Sequence, residues 1–435
     1  MNKHIRWLQQ EVAHWRAEGL VDDALAQRIL ARYPAAAERG WGRIIFSAIG
    51  AVLIGCGVIL FFAYNWQDIP KAAKLALVFG AIAAAHGGAM ALAGRADAQR
   101  ALIESLHALG TMLFGAGIWL VAQIYHIDEH YPNAFLIWSL GTLALAWALP
   151  SLVQALLALL LIVIWAGVEL FDFRAPMHAA PLLVALGVLP LAWWRRSAML
   201  LWCALAVLFF VTAFAVGWIE TRALAPLLFM MGTAAVVAAA AAPATAFSAA
   251  QGPLHSLGLL VVLGCGYALS FRDMAGILGR VDFSKSGLAV YFAGAGAALL
   301  GALIFAAARF ARGERVQEVN AYRLWQLALI GIGLVIALTG VFVPGKVGGW
   351  AIALPLNAIV LALAALLILE GSEQLRPRLV GAGCLVFALV TVSRYVDLFS
   401  SLLVRAAVFV ALGAGLFFVG NFYTRQRRRV QEVQP

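Results

Sequence analysis

Charge is scarce in this sequence. Asp, Glu, Lys and Arg make up 12% of 435 residues, against 64% hydrophobic residues and a mean hydropathy of +0.92. A soluble globular chain carries about a quarter charged residues, and no water-soluble fold hides this much apolar surface. Cysteine is scarce too. Cys56, Cys203, Cys265 and Cys384 each sit inside an apolar run with no CxxC pair or metal-ligand spacing, which points to helix packing and away from redox or metal chemistry. There is no P-loop, no GxSxG, no HExxH and no glycine-rich dinucleotide turn, which argues against a self-contained ATP-driven pump. No cofactor and no metal site is expected. About forty polar residues precede the first apolar run, so no cleavable signal peptide is expected.

Long apolar runs are what the sequence has instead. Unbroken runs of this length mean membrane helices and not a barrel, whose strands alternate over about ten residues. The expected fold is all-α: about fourteen transmembrane helices after a short cytosolic helical hairpin. Residues 1–42 carry Trp7, Leu8, Val12 and Trp15 at helical spacing, a break at Glu18-Gly19-Leu20, and Asp22 placed to cap a second short helix that stops at Tyr33-Pro34. The expected spans run from Ile44 to Tyr64, 72–93, 101–124, 134–149, 151–170, 179–194, 198–218, 223–242, 254–270, 287–308, 324–343, 350–369, 379–392, and Ser401 to Tyr423. As domains these give a hairpin (1–42), an N-terminal membrane module of four spans (43–150), a C-terminal bundle of ten (151–423) and a basic tail (424–435). Gly110, Gly115 and Gly117 in the third span and Gly294, Gly296 and Gly301 in the tenth are expected to bring helices close, as is the alanine-rich eighth span.

The net charge of +10 does not indicate nucleic acid. The basic residues lie in loops and tails with no stripe interleaved with aromatics. Sorting the loops by side places 21 of the 31 Lys and Arg on one face. That face also holds both termini, which are therefore expected in the cytoplasm, with an even number of spans.

Ionisable groups inside apolar runs are costly and mark candidate sites. Glu104 and His107 are three apart, on one helix face. His86, on the preceding span, lies at a similar depth near the cytoplasmic end. This inner group can pass protons, bind a metal or clamp two helices by hydrogen bonds. A second group gathers at the outer edge: Asn65 and Trp66 close the first span, Gln123, Tyr125 and His126 close the third, and Asp128, Glu129, His130 and Tyr131 follow. It reads as a polar pocket for a ligand or lipid headgroup, or as an aromatic belt beside an acidic loop. Further along, Asn357 near Pro355 suits an interhelical hydrogen bond or a cavity lining. Arg394 is spaced to pair with Asp397, and Arg405 to snorkel.

Several stretches resemble a bacterial membrane-protein family catalogued as domain of unknown function 2157. They are Gly19-Leu20 in the hairpin, Phe62-Ala63-Tyr64-Asn65-Trp66 with Ile69-Pro70, Leu106-His107-Ala108-Leu109-Gly110, Gly115-Ala116-Gly117-Ile118 and Gln123-Ile124-Tyr125-His126-Ile127, over roughly residues 5–150. Ser393-Arg394-Tyr395-Val396-Asp397-Leu398-Phe399 is similar to the C-terminal part of such proteins. The resemblance implies an inner-membrane protein without an established activity. It also implies a small membrane-anchored partner with a GDYxxLxY motif, and it singles out Asn65, Trp66, Gln123, Tyr125 and His126. Three functions are expected, in this order: a transporter- or channel-like protein for a small polar or lipidic substrate, a non-catalytic scaffold for a membrane partner, and an intramembrane enzyme on a lipid-linked substrate that uses Glu104 with His86 or His107. A continuous wet path between the two polar groups favours transport; two isolated patches favour a scaffold.

Overall fold

A computed structural model describes residues 3–32, 69–95, 99–127, 130–175, 177–285, 287–312, 321–343, 348–398, 410–411, 413–419 and 421–422. The chain divides into two compact units, Met1–Leu77 and Val78–Pro435. In the first, α1 (Lys3–Ala17) and α2 (Asp23–Arg32) form a hairpin, with Val12 and Ala26 buried. Gly19 takes φ +73°, which lets the chain turn out of α1 while the Leu20 N–H still reaches the Trp15 carbonyl at 2.9 Å. The Asp22 carboxylate accepts the Leu25 N–H at 2.7 Å, the N-cap that its position promises. An Arg16–Asp23 ion pair spans the turn.

The described residues are mostly helical, with no strand among them. They run through α3 (Lys71–Ala93), α4 (Arg100–Tyr125), α5 (Pro132–Ala148), α6 (Leu152–Phe171), α7 (Ala179–Trp194), α8 (Ala198–Ile219), α9 (Thr221–Ala241), α10 (Gln251–Leu269), α11 (Leu288–Ala311), α12 (Ala321–Phe342), α13 (Gly349–Glu373) and α14 (Pro377–Leu398). Ten are long and apolar enough to cross a membrane; α5 and α7 are shorter apolar helices. These twelve fall on the second to thirteenth expected spans. Ile44–Tyr64 and most of Ser401–Tyr423 lie outside the described residues.

Contacts at the helix ends sort them into two groups. At the basic end, Arg100 donates to the Pro150 carbonyl at 3.3 Å, Arg195 to that of Leu149 at 2.9 Å, and Arg309 to that of Ala244 at 2.8 Å. Each arginine thereby satisfies a carbonyl where a helix runs out of partners. At the opposite end, buried Glu220 pairs with Lys285 at 2.7 Å, and Lys285 also donates to the Ile219 carbonyl at 2.9 Å. Ser151 and Ser197 start α6 and α8 by accepting the N–H groups of Gln154 and Leu200.

Two apolar cores form, one around Ile162, Leu191 and Leu200, the other around Leu227, Phe229, Ile330 and Leu356. Lipid is as apolar as leucine, so helix contact in a membrane rests on close packing and small residues. α9 and α10 approach closely. A Cβ on Gly232 would fall 2.9 Å from the Gly258 carbonyl oxygen, and one on Gly258 2.8 Å from that of Gly232. Alanine-rich α9 thus packs closely, as expected, and so do Gly110, Gly115 and Gly117. The glycines of the tenth span do not: Gly294, Gly296 and Gly301 have nothing within 4 Å of a built Cβ. The reason is that α11 turns these positions away from its neighbours, and only 17% of its most apolar window is buried. In α7 the residues Leu183–Val188 widen into a π-turn between Pro181 and Pro190. The loosened Gly187 carbonyl is taken by the Trp147 indole at 2.9 Å.

Candidate functional site

The site is built within the second unit from α3, α4, α5 and α6. His86 and His107 meet, with their Nδ1 atoms 3.0 Å apart and ring centroids at 5.3 Å. Sequence spacing explains why they can. Gly110 lies one turn beyond His107 on the same face of α4, and a Cβ there would fall 2.5 Å from His86 Nε2. The His107-Ala108-Leu109-Gly110 stretch supplies one ring and the gap for the other.

Glu104 turns the other way. Its carboxylate accepts from Arg100 at 3.3 Å and from the Ser151 hydroxyl at 3.4 Å, at the basic end. The same serine caps α6, so one hydroxyl ties the α4 acid to the α6 N-terminus. Deeper, Thr111 Oγ1 lies 3.0 Å from the His107 carbonyl and 2.9 Å from the Gln154 side chain, and the Trp138 indole donates to the Thr111 carbonyl at 2.9 Å. Thr111 and Gln154 are fully buried. One hydroxyl hydrogen cannot serve two acceptors. With the amide turned so that Nε2 donates to Thr111, both contacts hold.

At the opposite end α5 and α6 carry a second polar group. His130 Nε2 lies 2.8 Å from Oε1 of buried Glu169, and Tyr131 donates to Asp172 at 2.5 Å. Accepting that hydrogen, the Asp172 carboxylate holds the Tyr131 phenol above the usual tyrosine range. Phe173 packs edge-on against both His130 and Tyr131, at 4.2 and 5.3 Å. Beside them a groove of about 480 Å³ opens sideways between α3, α4 and α5. Its walls are apolar (Phe79, Ile82, Phe114, Ile118, Ile137) and its lip at this end is His130, Tyr131 and Asn133. That volume is within the range of roughly 300–1,000 Å³ in which small ligands bind.

Of the outer residues expected from sequence, Asn65 and Trp66 lie outside the described residues. Gln123, Tyr125 and His126 are exposed at the end of α4, and His126 closes that helix with φ +52°. They do not line the groove; Val121, Ala122 and Ile127, at neighbouring positions, do. No group of three metal-type ligands occurs among the described residues.

The stretches quoted from the N-terminal third therefore do more than share a helix pattern: His107 and Gly110 seat His86, and Gly117 lies on the groove. Residues 13–155 match the family described as predicted membrane protein (DUF2157). The match ends one residue beyond Gln154, so the whole polar line from Arg100 to Gln154 and the groove lie inside it, while Glu169, Asp172 and everything from α7 onward lie outside. No curated protein and no solved structure matches the chain. The DUF2157 match carries no activity with it, so function rests on the site.

Sequence reasoning passed over Thr111, Gln154 and Glu169. Glu169 had a signal, an acid within an apolar run. Thr111 and Gln154 are individually unremarkable, and only the facing of α4 and α6 joins them. The same holds for a buried group at the basic end of the C-terminal half. There His255 meets Gln326 at 3.1 Å, Gln326 donates to Glu370 at 3.0 Å, and Gln374 donates to Glu370 at 3.2 Å. Asn357 makes the interhelical bond expected of it, donating to the Ser270 carbonyl at 2.9 Å and accepting from Arg394 at 3.0 Å. Arg394 is thus engaged by Asn357 and by the Ser270 hydroxyl at 2.6 Å, above the Phe271 ring. The side chain of Asp397 and all of Arg405 lie outside the described residues.

Proposed function

We propose that this chain is a non-conducting membrane protein that takes a lipid-like molecule sideways into the groove between α3, α4 and α5, tail against the apolar walls and head at the His130–Tyr131–Asn133 lip. One observation carries this reading. The two polar groups are separated along α6 by fifteen residue steps, from Gln154 to Glu169, about 22 Å at 1.5 Å per residue. The buried face between them is Ala155, Ala158, Leu159, Leu161, Ile162, Trp165 and Ala166. A water path or proton wire along α6 has nothing to run on there, which favours holding over conducting. The enzyme reading is weakened in turn, because Glu104 is committed to Arg100 and Ser151, far from the lip.

Orientation belongs to the same proposal. Arginines gather at the ends bearing Arg100, Arg195, Arg309, Arg323 and Arg376, which supports a cytoplasmic basic end, both termini cytoplasmic, about fourteen spans, and a bacterial inner membrane. The groove lip then faces outward, where a lipid of the outer leaflet or a membrane-anchored partner has access.

The test is binding of phosphatidylcholine carrying a fluorescent acyl chain to the purified protein, with Ile137→Trp filling the groove. At least about a tenfold loss of affinity, equivalent to 1.4 kcal/mol, is expected. Equal binding by the variant, or sustained ion or solute flux through reconstituted vesicles, overturns the reading.

A further inference from the structure

We propose that His86 and His107 form a one-proton site one turn from the floor of the groove, and that its protonation and occupancy of the groove are linked. The linkage rests on the groove reading above; the one-proton site does not.

The two Nδ1 atoms lie 3.0 Å apart. A hydrogen bond between two imidazole Nδ1 atoms holds a single hydrogen. Two protonation states satisfy it. In the neutral pair, one ring carries hydrogen on Nδ1 and donates to the bare Nδ1 of the other. In the singly charged pair, an imidazolium donates to a neutral imidazole. A second added proton places hydrogen on both facing atoms and two like charges at contact distance in a low-dielectric setting, and the bond is lost. The first added proton therefore leaves the bond intact, and the second breaks it.

The rings have little freedom to escape this. His107 is 6% exposed, and His86 lies directly over Gly110, where even a Cβ would clash at 2.5 Å. The surrounding charge is also simple. On α4, Glu104 sits one turn from His107 and is paired with Arg100 at 3.3 Å. α3 carries no charged residue between Lys74 and its end at Ala93, α5 carries none, and the one acid of α6 is Glu169 at its far end. From α5 and α6 come the neutral Trp138 and Gln154, both bonded to Thr111 of α4, with Ser151 on Glu104.

The groove floor lies one turn from this pair. Ile82 is one turn before His86 on α3, and Phe114 is one turn after Gly110 on α4; both line the groove. An apolar tail reaching that floor strips polarisable surroundings from the pair, so a charge on the pair and a tail in the groove oppose each other. By linkage the effect is reciprocal: the tail binds better to the neutral pair, and binding to the charged pair releases a proton.

The experiment has two readouts on the full chain. Nitrogen NMR of protein labelled at histidine follows imidazole protonation between pH 4 and pH 9. Binding of the fluorescent-tailed phosphatidylcholine is measured over the same range. In the wild type, one proton is expected to enter the pair well before a second. Affinity for the probe is expected to rise about tenfold from low to high pH, an ordinary size for coupling between sites. Gly110→Ala, which displaces His86, and His107→Gln are each expected to flatten that dependence, while helix content by circular dichroism reports whether they fold. If His86 and His107 take up protons independently in the wild type, the one-proton site is wrong whatever the variants do. If the pair takes one proton but probe affinity does not change with pH, the linkage is wrong. If the probe binds at no pH, the groove reading falls and the linkage with it, while NMR alone still decides the one-proton site.

Discussion

Gly258→Ala tests the packing of the bundle directly. The added methyl would lie 2.8 Å from the Gly232 carbonyl oxygen, 2.9 Å from Ala235 Cβ and 3.0 Å from a Val236 methyl. Two of these contacts are with backbone or with an atom fixed to it, so no side chain can rotate aside and α9 and α10 must separate. Overpacking of this kind costs about 1–3 kcal/mol. Alanine also recovers about 0.5–1 kcal/mol of helix propensity over glycine, so the net expected loss is about 0–2.5 kcal/mol, and the gap to a variant that gains propensity alone is about 1–3 kcal/mol. Gly301→Ala is the matched control, with nothing within 4 Å of its added Cβ. It should gain the propensity term and be neutral or slightly stabilised. Thermal unfolding of the two variants in one detergent, followed by circular dichroism at 222 nm, gives the comparison. Gly258→Ala as stable as Gly301→Ala would refute the claim that glycine sets the α9–α10 distance.

Gln326→Leu should destabilise by about 1–3 kcal/mol, because it strips His255 and buried Glu370 of a shared partner; chemical unfolding measures it, and a neutral result would mean the cluster is reached by water. Tyr131 should ionise above the ordinary tyrosine range while Asp172 holds its hydrogen, and Asp172→Asn should bring it down, seen as a difference in the phenolate absorbance titration. The sign follows from the raised value: stability from this bond is complete below the unfolded tyrosine value near pH 10 and fades as pH rises through the higher folded one. Asp282 behaves oppositely. The Ser284 hydroxyl and N–H hold its carboxyl below the usual range, so that contribution is present above the unfolded value and is lost as pH falls through the folded one. Ser284→Ala should raise its titration midpoint by NMR.

The membrane class, the hairpin with its Asp22 cap and the positions of the twelve apolar helices were legible in the sequence. Each depends on local chemistry alone: an apolar run of spanning length must close its own backbone hydrogen bonds, and a carboxylate before a helix finds the free N–H groups. That His86 and His107 lie at one level on neighbouring helices was legible for the same reason, since rise per residue is fixed. What the sequence could not supply is which face each helix turns to which neighbour. That choice seats His86 over Gly110 and sends Glu104 to Arg100 and Ser151. It joins Thr111 to Gln154 across 43 positions and His130 to Glu169 across 39, leaves Gly294, Gly296 and Gly301 facing open space while Gly232 and Gly258 touch, and puts Ile127 in the groove instead of Gln123. In a membrane every face is apolar enough to point anywhere, so rotation about the helix axis is decided by packing and by the few polar groups that must find one another, and only the tertiary structure contains that decision.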